Sequence, residues 1–342
     1  MAKRRLGLIG LGMAVTPHAK SFLDLKDRVE VAYAFSPSEA RRRAFGERFP
    51  FPLCERLETI LDDKSVTAVS ILTPPNTHRA LVERCAAAGK HVLLEKPLEV
   101  STAQALEMVQ ACRAARVTLG VVLQHRFRPA GMKLASMILA GELGALVGCS
   151  TVIRLWRPQS YYDQPGRGTK SRDGGGVLLT QGIHTLDLML SLAGRIDEVS
   201  AYATTSPVHR METEDMVAAA VRYANGAHGT IDATTAAYPG FAERIELIGT
   251  RATASLAGTE LKVFRHDGTT VEISPDESSG GTGADPMAFP HDYHRAVIAD
   301  FLDALDRGRP PKVNGEEALK VHRLIDALLE SGLTGKRVKV AA

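Results

Sequence analysis

The stretch "ILTPPNTHRALVERCAAAGKHVLLEKPL", Ile71 to Leu98, reads as strand, helix, strand. An apolar run ends at Thr73-Pro74-Pro75. Asn76 and Thr77 can cap a helix with apolar spacing that closes at Gly89, a residue suited to the position just past a helix end. The short apolar run "HVLL" follows and opens onto Glu95-Lys96-Pro97. Two strands joined by a helix make a βαβ unit, and its strands run parallel.

The same alternation extends to both sides. Apolar runs "LGLIG", "VEVAYAF", "VTAVSIL", "HVLLE" and "VTLGVVL" are separated by helix-length stretches such as Ser101–Arg116. They are apolar throughout, as strands covered on both faces must be. Residues 1–124 therefore read as an α/β Rossmann domain with a parallel sheet. Beyond them the pattern changes. A helix over Pro129–Ala140 precedes strand-like runs at Val147–Leu155, Val199–Thr205, Met216–Tyr223, His228–Thr235, Glu243–Ile248, Thr253–Leu256, Leu261–Arg265 and Thr270–Ile273. Asn225-Gly226 and Asp267-Gly268 are hairpin turns. One helix, Leu178–Ala193, interrupts the strands, and Pro275–Pro290 reads as a long loop. Two helices near His291–Asp306 and Glu316–Ser331 follow, able to pack back on the first domain. Residues 125–342 are thus expected to form an α+β domain with a large, mostly antiparallel open sheet that binds substrate and mediates oligomerisation.

Composition bounds the partners. The 342 residues are 44% hydrophobic and 24% charged, with a net charge of +3. That balance gives no reason to expect nucleic acid or membrane. Cys54, Cys85, Cys112 and Cys149 are widely spaced and read as free thiols, not a zinc site or disulfide framework. No apolar run reaches the roughly 18 residues of a membrane span, and the N-terminus has no signal-peptide core. The cytoplasm is the expected compartment.

The first run ends in "GLIGLGMAVTPH", Gly7 to His18. Gly10 and Gly12 allow a tight turn and close approach of backbone to a pyrophosphate, with Met13 and Ala14 at the helix entrance. Val15 stands where a third glycine would allow closer helix packing. Ser36 occupies the place of the acidic residue that in NAD enzymes binds the ribose 2′-hydroxyl, and Arg41, Arg42 and Arg43 follow. Loss of the acid with arginine nearby leans toward NADP over NAD, Arg41 being the expected partner of a 2′-phosphate; a solvated arginine face is the competing reading.

Thr73-Pro74-Pro75-Asn76-x-His78, Gly89-Lys90-His91-Val92 and Glu95-Lys96-Pro97 together resemble the Gfo/Idh/MocA family of NAD(P)-dependent oxidoreductases. His18 after the glycines, "QHRF" at Gln124–Phe127, Arg167–Leu190 and "SGLTGKRVKV" extend the resemblance over nearly the whole chain. It implies that Lys96 and His184 handle the alcohol proton, that Thr73, Pro74, Asn76, His78, Glu95, Lys96 and Gln124 line the cofactor, that the Lys96–Pro97 bond is cis, and that no metal takes part. Many relatives carry aspartate where this chain has Thr180.

Asp173 and three glycines precede "VLLTQGIHTLDLML", in which Thr180, His184 and Asp187 share one helix face. A core histidine satisfied by Asp187 and a catalytic histidine oriented by it both fit that pattern. Arginines surround this stretch, with aromatics between them. Arg126 and Arg157, with Trp156, Thr180 and His184, are the expected substrate contacts, because arginine grips carboxylate or phosphate bidentately. The expected reaction is hydride transfer between a nicotinamide and a secondary alcohol or ketone. The substrate is expected to be a sugar, polyol or cyclic diol, with an anionic one such as a uronic acid, nucleotide sugar or carboxylated dihydrodiol favoured. A non-catalytic NAD(P)-binding regulator on the same fold is the alternative. A homodimer or homotetramer through the second sheet is expected.

Overall fold

The computed structural model describes residues 3–274 and 290–341. The expected loop at 275–289 lies outside them. The chain divides into two compact units, one running to Gln124 and resuming over His291–Leu319, the other taking the described residues of His125–Pro290 and those from Lys320 onward.

In the first unit the strands are β1 (Arg4–Ile9), β2 (Val29–Phe35), β3 (Leu53–Cys54), β4 (Val66–Ile71), β5 (His91–Leu94) and β6 (Leu119–Val121). The helices between them are α1 (Val15–Asp24), α2 (Glu39–Gly46), α3 (Glu58–Asp62), α4 (His78–Ala87) and α5 (Thr102–Ala114). The strands lie in the order β3-β2-β1-β4-β5-β6, all parallel. This is the doubly wound order with its crevice at the strands' carboxyl ends. Leu6, Leu8, Ile9, Val69, Ile71, Val92 and Leu93 are buried although neighbours in sequence point to opposite faces. Helices on both faces explain this. Ser101 caps α5 by accepting the Gln104 N–H, and Ser38 caps α2 by accepting that of Arg41. Lys90 is buried, its ammonium donating to the Asp63 and Val66 carbonyls at 2.7 and 2.8 Å.

The second unit contains α6 (Pro129–Leu139), β7 (Leu146–Arg154), α7 (Gln159–Tyr162), α8 (Val177–Thr180), α9 (Ile183–Ala193), β8 (Ile196–Thr204), β9 (Met216–Tyr223), β10 (His228–Thr234), β11 (Arg244–Gly249), β12 (Ala252–Ala257), β13 (Glu260–Arg265) and β14 (Thr270–Ile273). The last elements are α10 (Asp292–Arg307), α11 (Gly315–Thr334) and β15 (Val338–Lys339). Nine strands form one sheet, β14-β13-β12-β11-β7-β10-β9-β8-β15, in which only β7 and β10 pair parallel. One face is buried under α6, α8 and α9, through Ile153, Val217, Ile231, Leu247 and Val263. The other is exposed and mixes polar pairs, Ser150–Thr230 and Arg154–Asp232, with the large apolar side chains of Tyr202, Met216 and Ile248.

Helix α10 belongs to the first unit and packs on α1; its Phe301 lies where a β-carbon on Gly120 of β6 would stand only 2.9 Å away. One expectation fails at α8 and α9. The single helix read over Leu178–Ala193 is two helices, because the Gln181 and Gly182 N–H groups both turn back to the Val177 carbonyl and close α8. The four cysteines are free and buried, and burial pushes the Cys85 and Cys112 thiols up to about 12.

Candidate active site

Strand register gathers the first unit's motifs at one edge. Phe35, Ile9, Ile71, Leu94 and Val121 stand in a single row across five strands. The residues one step beyond are Ser36, Gly10, Leu72, Glu95 and Val122. Four of their N–H groups continue the ladder: Gly10 to Phe35, Leu72 to Ile9, Glu95 to Ile71 and Val122 to Leu94. The glycine turn, the Thr73-Pro74 segment and the lysine therefore leave the sheet side by side at its carboxyl edge.

Gly10 has φ of +100°, and a β-carbon there would stand 2.9 Å from the Leu72 carbonyl carbon and the Thr73 side chain. Only glycine fits. Gly12 has open space where a β-carbon would go. Val15 opens α1 and is buried, so the position of the third glycine is filled without distortion of the turn. Ala14 gives α1 no side-chain cap and no acid occupies the first turn, which leaves the helix N–H groups and positive dipole end for an anion. These features fit a dinucleotide pyrophosphate.

Ser36 is buried just past β2. The arginine brought to it is Arg42, whose guanidinium donates to the Ser36 carbonyl at 2.8 Å. Arg41, expected to play that part, is exposed, because the Ser38 cap starts α2 in a phase that turns Arg41 outward and Arg42 back toward β2.

His78 and Glu95, both expected to line the cofactor, face inward. His78 is fully buried; Nε2 lies 2.8 Å from the Thr73 carbonyl and Nδ1 3.0 Å from the Pro97 and Leu98 carbonyls. Burial holds its pKa below the usual histidine range. It is a strut between two site segments. The Glu95 carboxylate takes His18 Nε2 at 2.7 Å and the Lys96 N–H at 3.1 Å. The Lys96–Pro97 bond is cis. Lys96 itself is partly exposed, as is Thr73, and Pro74 and Asn76 are exposed. Gln124 is buried, and its Oε1 has no hydrogen-bond partner among the described residues.

In the second unit, Gly176 is fixed by contact: a β-carbon there would fall 1.7 Å from the Glu214 carbonyl oxygen. The Glu214 carboxylate accepts the Gly176 and Leu178 N–H groups at 3.0 and 3.2 Å, while burial raises its pKa. Thr180 ends α8 and donates to the Gly176 carbonyl. It does not share a continuous helix face with His184. The His184 ring lies 4.9 Å from that of His125, tilted 31°. Asp187 holds Arg126 in a two-pronged ion pair of 2.6 and 2.7 Å, with both side chains buried. That fork is therefore committed to Asp187, which corrects the reading of Arg126 as a bidentate substrate clamp.

Arg157 is buried and donates to the Trp156 carbonyl at 2.7 Å. Its own carbonyl faces His209 Nε2 at 2.8 Å, and His209 Nδ1 meets Asp215 at 2.6 Å. Ser206 donates twice more to Asp215. Sequence reasoning missed this support for Trp156-Arg157. The polar run Ser206–Asp215 between two strands was its signal.

A doubly wound sheet with a bare helix end behind a glycine turn, and a lysine two strands away at the same edge, fits a nicotinamide-dependent oxidoreductase. The chain belongs to the GFO/IDH/MocA family: residues 4–123 match the oxidoreductase family NAD-binding Rossmann fold and residues 132–255 the GFO/IDH/MocA C-terminal domain. It is an NAD(P)-dependent dehydrogenase of the sugar and polyol type. It is 27% identical to the myo-inositol 2-dehydrogenase of Thermotoga maritima, covering 97% of each chain. It is also 27% identical to D-xylose 1-dehydrogenase (NADP(+)) 2 of Haloferax volcanii, covering 98% of each. The WlbA dehydrogenase of Bordetella pertussis, solved with NADH and UDP-GlcNAcA, superposes with a TM-score of 0.85 at 28% identity over the full length of both chains. No helix among the described residues is long and apolar enough to cross a membrane.

Proposed function

We propose that this enzyme interconverts a secondary alcohol and a ketone on an anionic sugar or polyol, with Lys96 as proton partner of the reacting oxygen. The observation that carries the reading is the position of Lys96. It leaves the same sheet edge as the Gly10 turn, with β4 between them, and is followed by cis Pro97, with His78 and Glu95 holding the backbone around it. The nicotinamide supplies or accepts the hydride when bound. The chain's own tasks are to place the carbinol carbon and to move the hydroxyl proton. In the oxidative direction neutral Lys96 takes that proton, and His184 is the second proton-handling residue. Gly10, Gly12 and the first turn of α1 hold the pyrophosphate. Ser36, in place of an acid, and the adjacent Arg42 favour NADP.

Arg157 is the best candidate for recognising a substrate carboxylate or phosphate. Its backbone is fixed by His209, and its guanidinium lies 5.9 Å from the Tyr161 ring centroid. The uncovered sheet face, with Tyr202 83% and Ile248 50% exposed, is the expected self-association surface, which sizing the protein in solution tests.

The decisive experiment is Lys96→Ala. NADP(H) affinity by calorimetry should stay within a few fold, while turnover of any accepted alcohol falls by about a hundredfold or more. Retained turnover would sink the mechanism. His184→Asn should also reduce turnover without loss of cofactor affinity, and NAD binding tighter than NADP would overturn the cofactor preference.

A further inference from the structure

Behind Lys96 lies a buried cluster that the proton-transfer scheme leaves unused. His18 from α1, Glu95 from the end of β5 and His294 from α10 bring their polar atoms within 4.8 Å of one another, all three buried. His18 Nε2 stands 2.7 Å from Glu95 Oε1, and His294 Nε2 stands 3.9 Å from that same oxygen. The two imidazoles meet edge to face at 5.1 Å. The second oxygen, Oε2, accepts the Lys96 N–H.

The trio has the residue types of a zinc site. Two ligands of one tetrahedral zinc, however, stand roughly 3.3 Å apart given zinc–ligand bonds near 2.0 Å. The His18–Glu95 separation of 2.7 Å is that of a charge-assisted hydrogen bond. The carboxylate is engaged on both oxygens by protein donors.

We propose that Glu95 is the positioning residue of this site, tying the pyrophosphate-binding helix to the lysine turn through His18 and setting a permanent negative charge beside the Lys96 ammonium. This rests on the reading of Lys96 as proton partner. One carboxylate oxygen fixes the backbone that carries the lysine; the other anchors to α1, four residues past the uncapped helix start at Ala14. The charge is secure across the working pH range. Burial alone would raise the Glu95 carboxyl, but the His18 hydrogen bond and the fields of His18, His294 and Lys96 override it and bring it to about 2. The groups facing it are His18 on α1, His294 on α10, Lys96 beside it, and His78 on α4, whose electrostatic coupling to Glu95 is also felt. Burial pushes His294 down to about 3, so at neutral pH it adds no competing positive charge.

The test compares Glu95→Gln, Glu95→Asp and His18→Leu with the wild type, using kcat against pH and cofactor affinity by calorimetry. Removing a negative charge beside an ammonium lowers its pKa. In the oxidative direction the acid limb of kcat should therefore move to lower pH by about one unit in Glu95→Gln. Its maximal kcat should fall about tenfold, and NADP(H) affinity should change less than threefold. Glu95→Asp keeps the charge, so its limb should stay near that of the wild type while kcat falls. His18→Leu leaves the Glu95 carboxylate in place, so its limb should not move to lower pH, while loss of the tie to α1 lowers kcat. Should Glu95→Gln not fold, Glu95→Asp and His18→Leu decide the matter: wild-type kcat in both overturns the positioning role. An unmoved limb in Glu95→Gln, in an enzyme that Lys96→Ala inactivates, overturns the positioning role and leaves the Lys96 reading standing. A fully active Lys96→Ala enzyme overturns the Lys96 reading itself. Activity that a chelator removes and zinc restores would also overturn the proposal, by making the trio a metal site.

Discussion

The Arg126–Asp187 pair allows a stability prediction worked from geometry. The two side chains meet through two parallel bonds of 2.7 and 2.6 Å, with 7% and 1% of their surfaces exposed. Opposite unit charges about 4 Å apart at an effective dielectric constant of about 20 attract by about 4 kcal/mol. Their burial costs a comparable amount, so the pair as a whole is close to neutral for stability. Removing one partner is different, because it takes the opposing charge away from one that stays in a dry environment. Asp187→Leu and Arg126→Met should each destabilise the second unit by about 3–5 kcal/mol, while the double variant should recover most of that loss. Trp156 is the only tryptophan in the chain and lies in this unit, so its fluorescence in urea titrations reports the relevant transition. Single costs below about 1 kcal/mol, or costs that simply add in the double variant, would refute the buried-pair argument. A pure rise in KM for Arg126→Met with unchanged stability would restore Arg126 to the role of a substrate clamp.

Burial pushes His322 down to about 4. The unfolded state, with a pKa near 6.5, therefore binds a proton that the native state refuses, and stability present above pH 6.5 is lost as pH falls toward 4, by about 3 kcal/mol in total. Urea midpoints at pH 7 and pH 4.5 should differ markedly less for His322→Gln than for the wild type; equal differences would contradict this. Gly10 and Gly12 should separate by function. Gly10→Ala meets Leu72 and requires a left-handed backbone, so its melting temperature should fall, whereas Gly12→Ala has open space and should melt like the wild type while losing dinucleotide affinity. Equal effects on both readouts would remove the distinction. Ser36→Asp should shift the ratio of NADP to NAD affinity toward NAD by tenfold or more through repulsion of the 2′-phosphate, and Arg42→Ala should lower NADP affinity alone. An unchanged ratio in both variants would mean that this edge does not read the 2′ position.

Local pattern made the first unit legible because five of its six strands lie in apolar runs; the two-residue β3, Leu53–Cys54, is too short to show as one. Once the strands are parallel, the row Phe35, Ile9, Ile71, Leu94, Val121 follows, and Gly10 and Lys96 must emerge at the same edge. In the second unit the strand runs were also readable, several to within a residue, because one sheet face is buried and the side chains alternate. The parallel pairing of β7 with β10 was not, since it joins strands separated by α7, α8, α9, β8 and β9 and leaves no mark on either sequence. The break between α8 and α9 escaped for a related reason. Apolar spacing continues through Gln181-Gly182, and only the backbone bonds back to Val177 end the first helix.

The expected site residues whose side chains face inward share one physical cause. Motif spacing places a residue at a strand end or on a helix; it does not say whether the side chain turns toward the cleft or into the packing behind it. His78 and Glu95 sit in the right motifs yet point inward, because the segments that approach a ligand closely have backbone groups that must themselves be held. Neutral His78 donates its one ring N–H either to the Thr73 carbonyl or to the side of Pro97 and Leu98, and Glu95 accepts the N–H of Lys96. Arg126 and Asp187 show the same thing in the second unit, where a guanidinium that looks available from sequence is already paired. In the proposed reading the residue that acts outward is Lys96, partly exposed between the buried His78 and Glu95. A site built this way predicts that substitutions behind the lysine alter rate and pH dependence before they alter cofactor affinity, since they change where the ammonium stands and not whether the dinucleotide can bind.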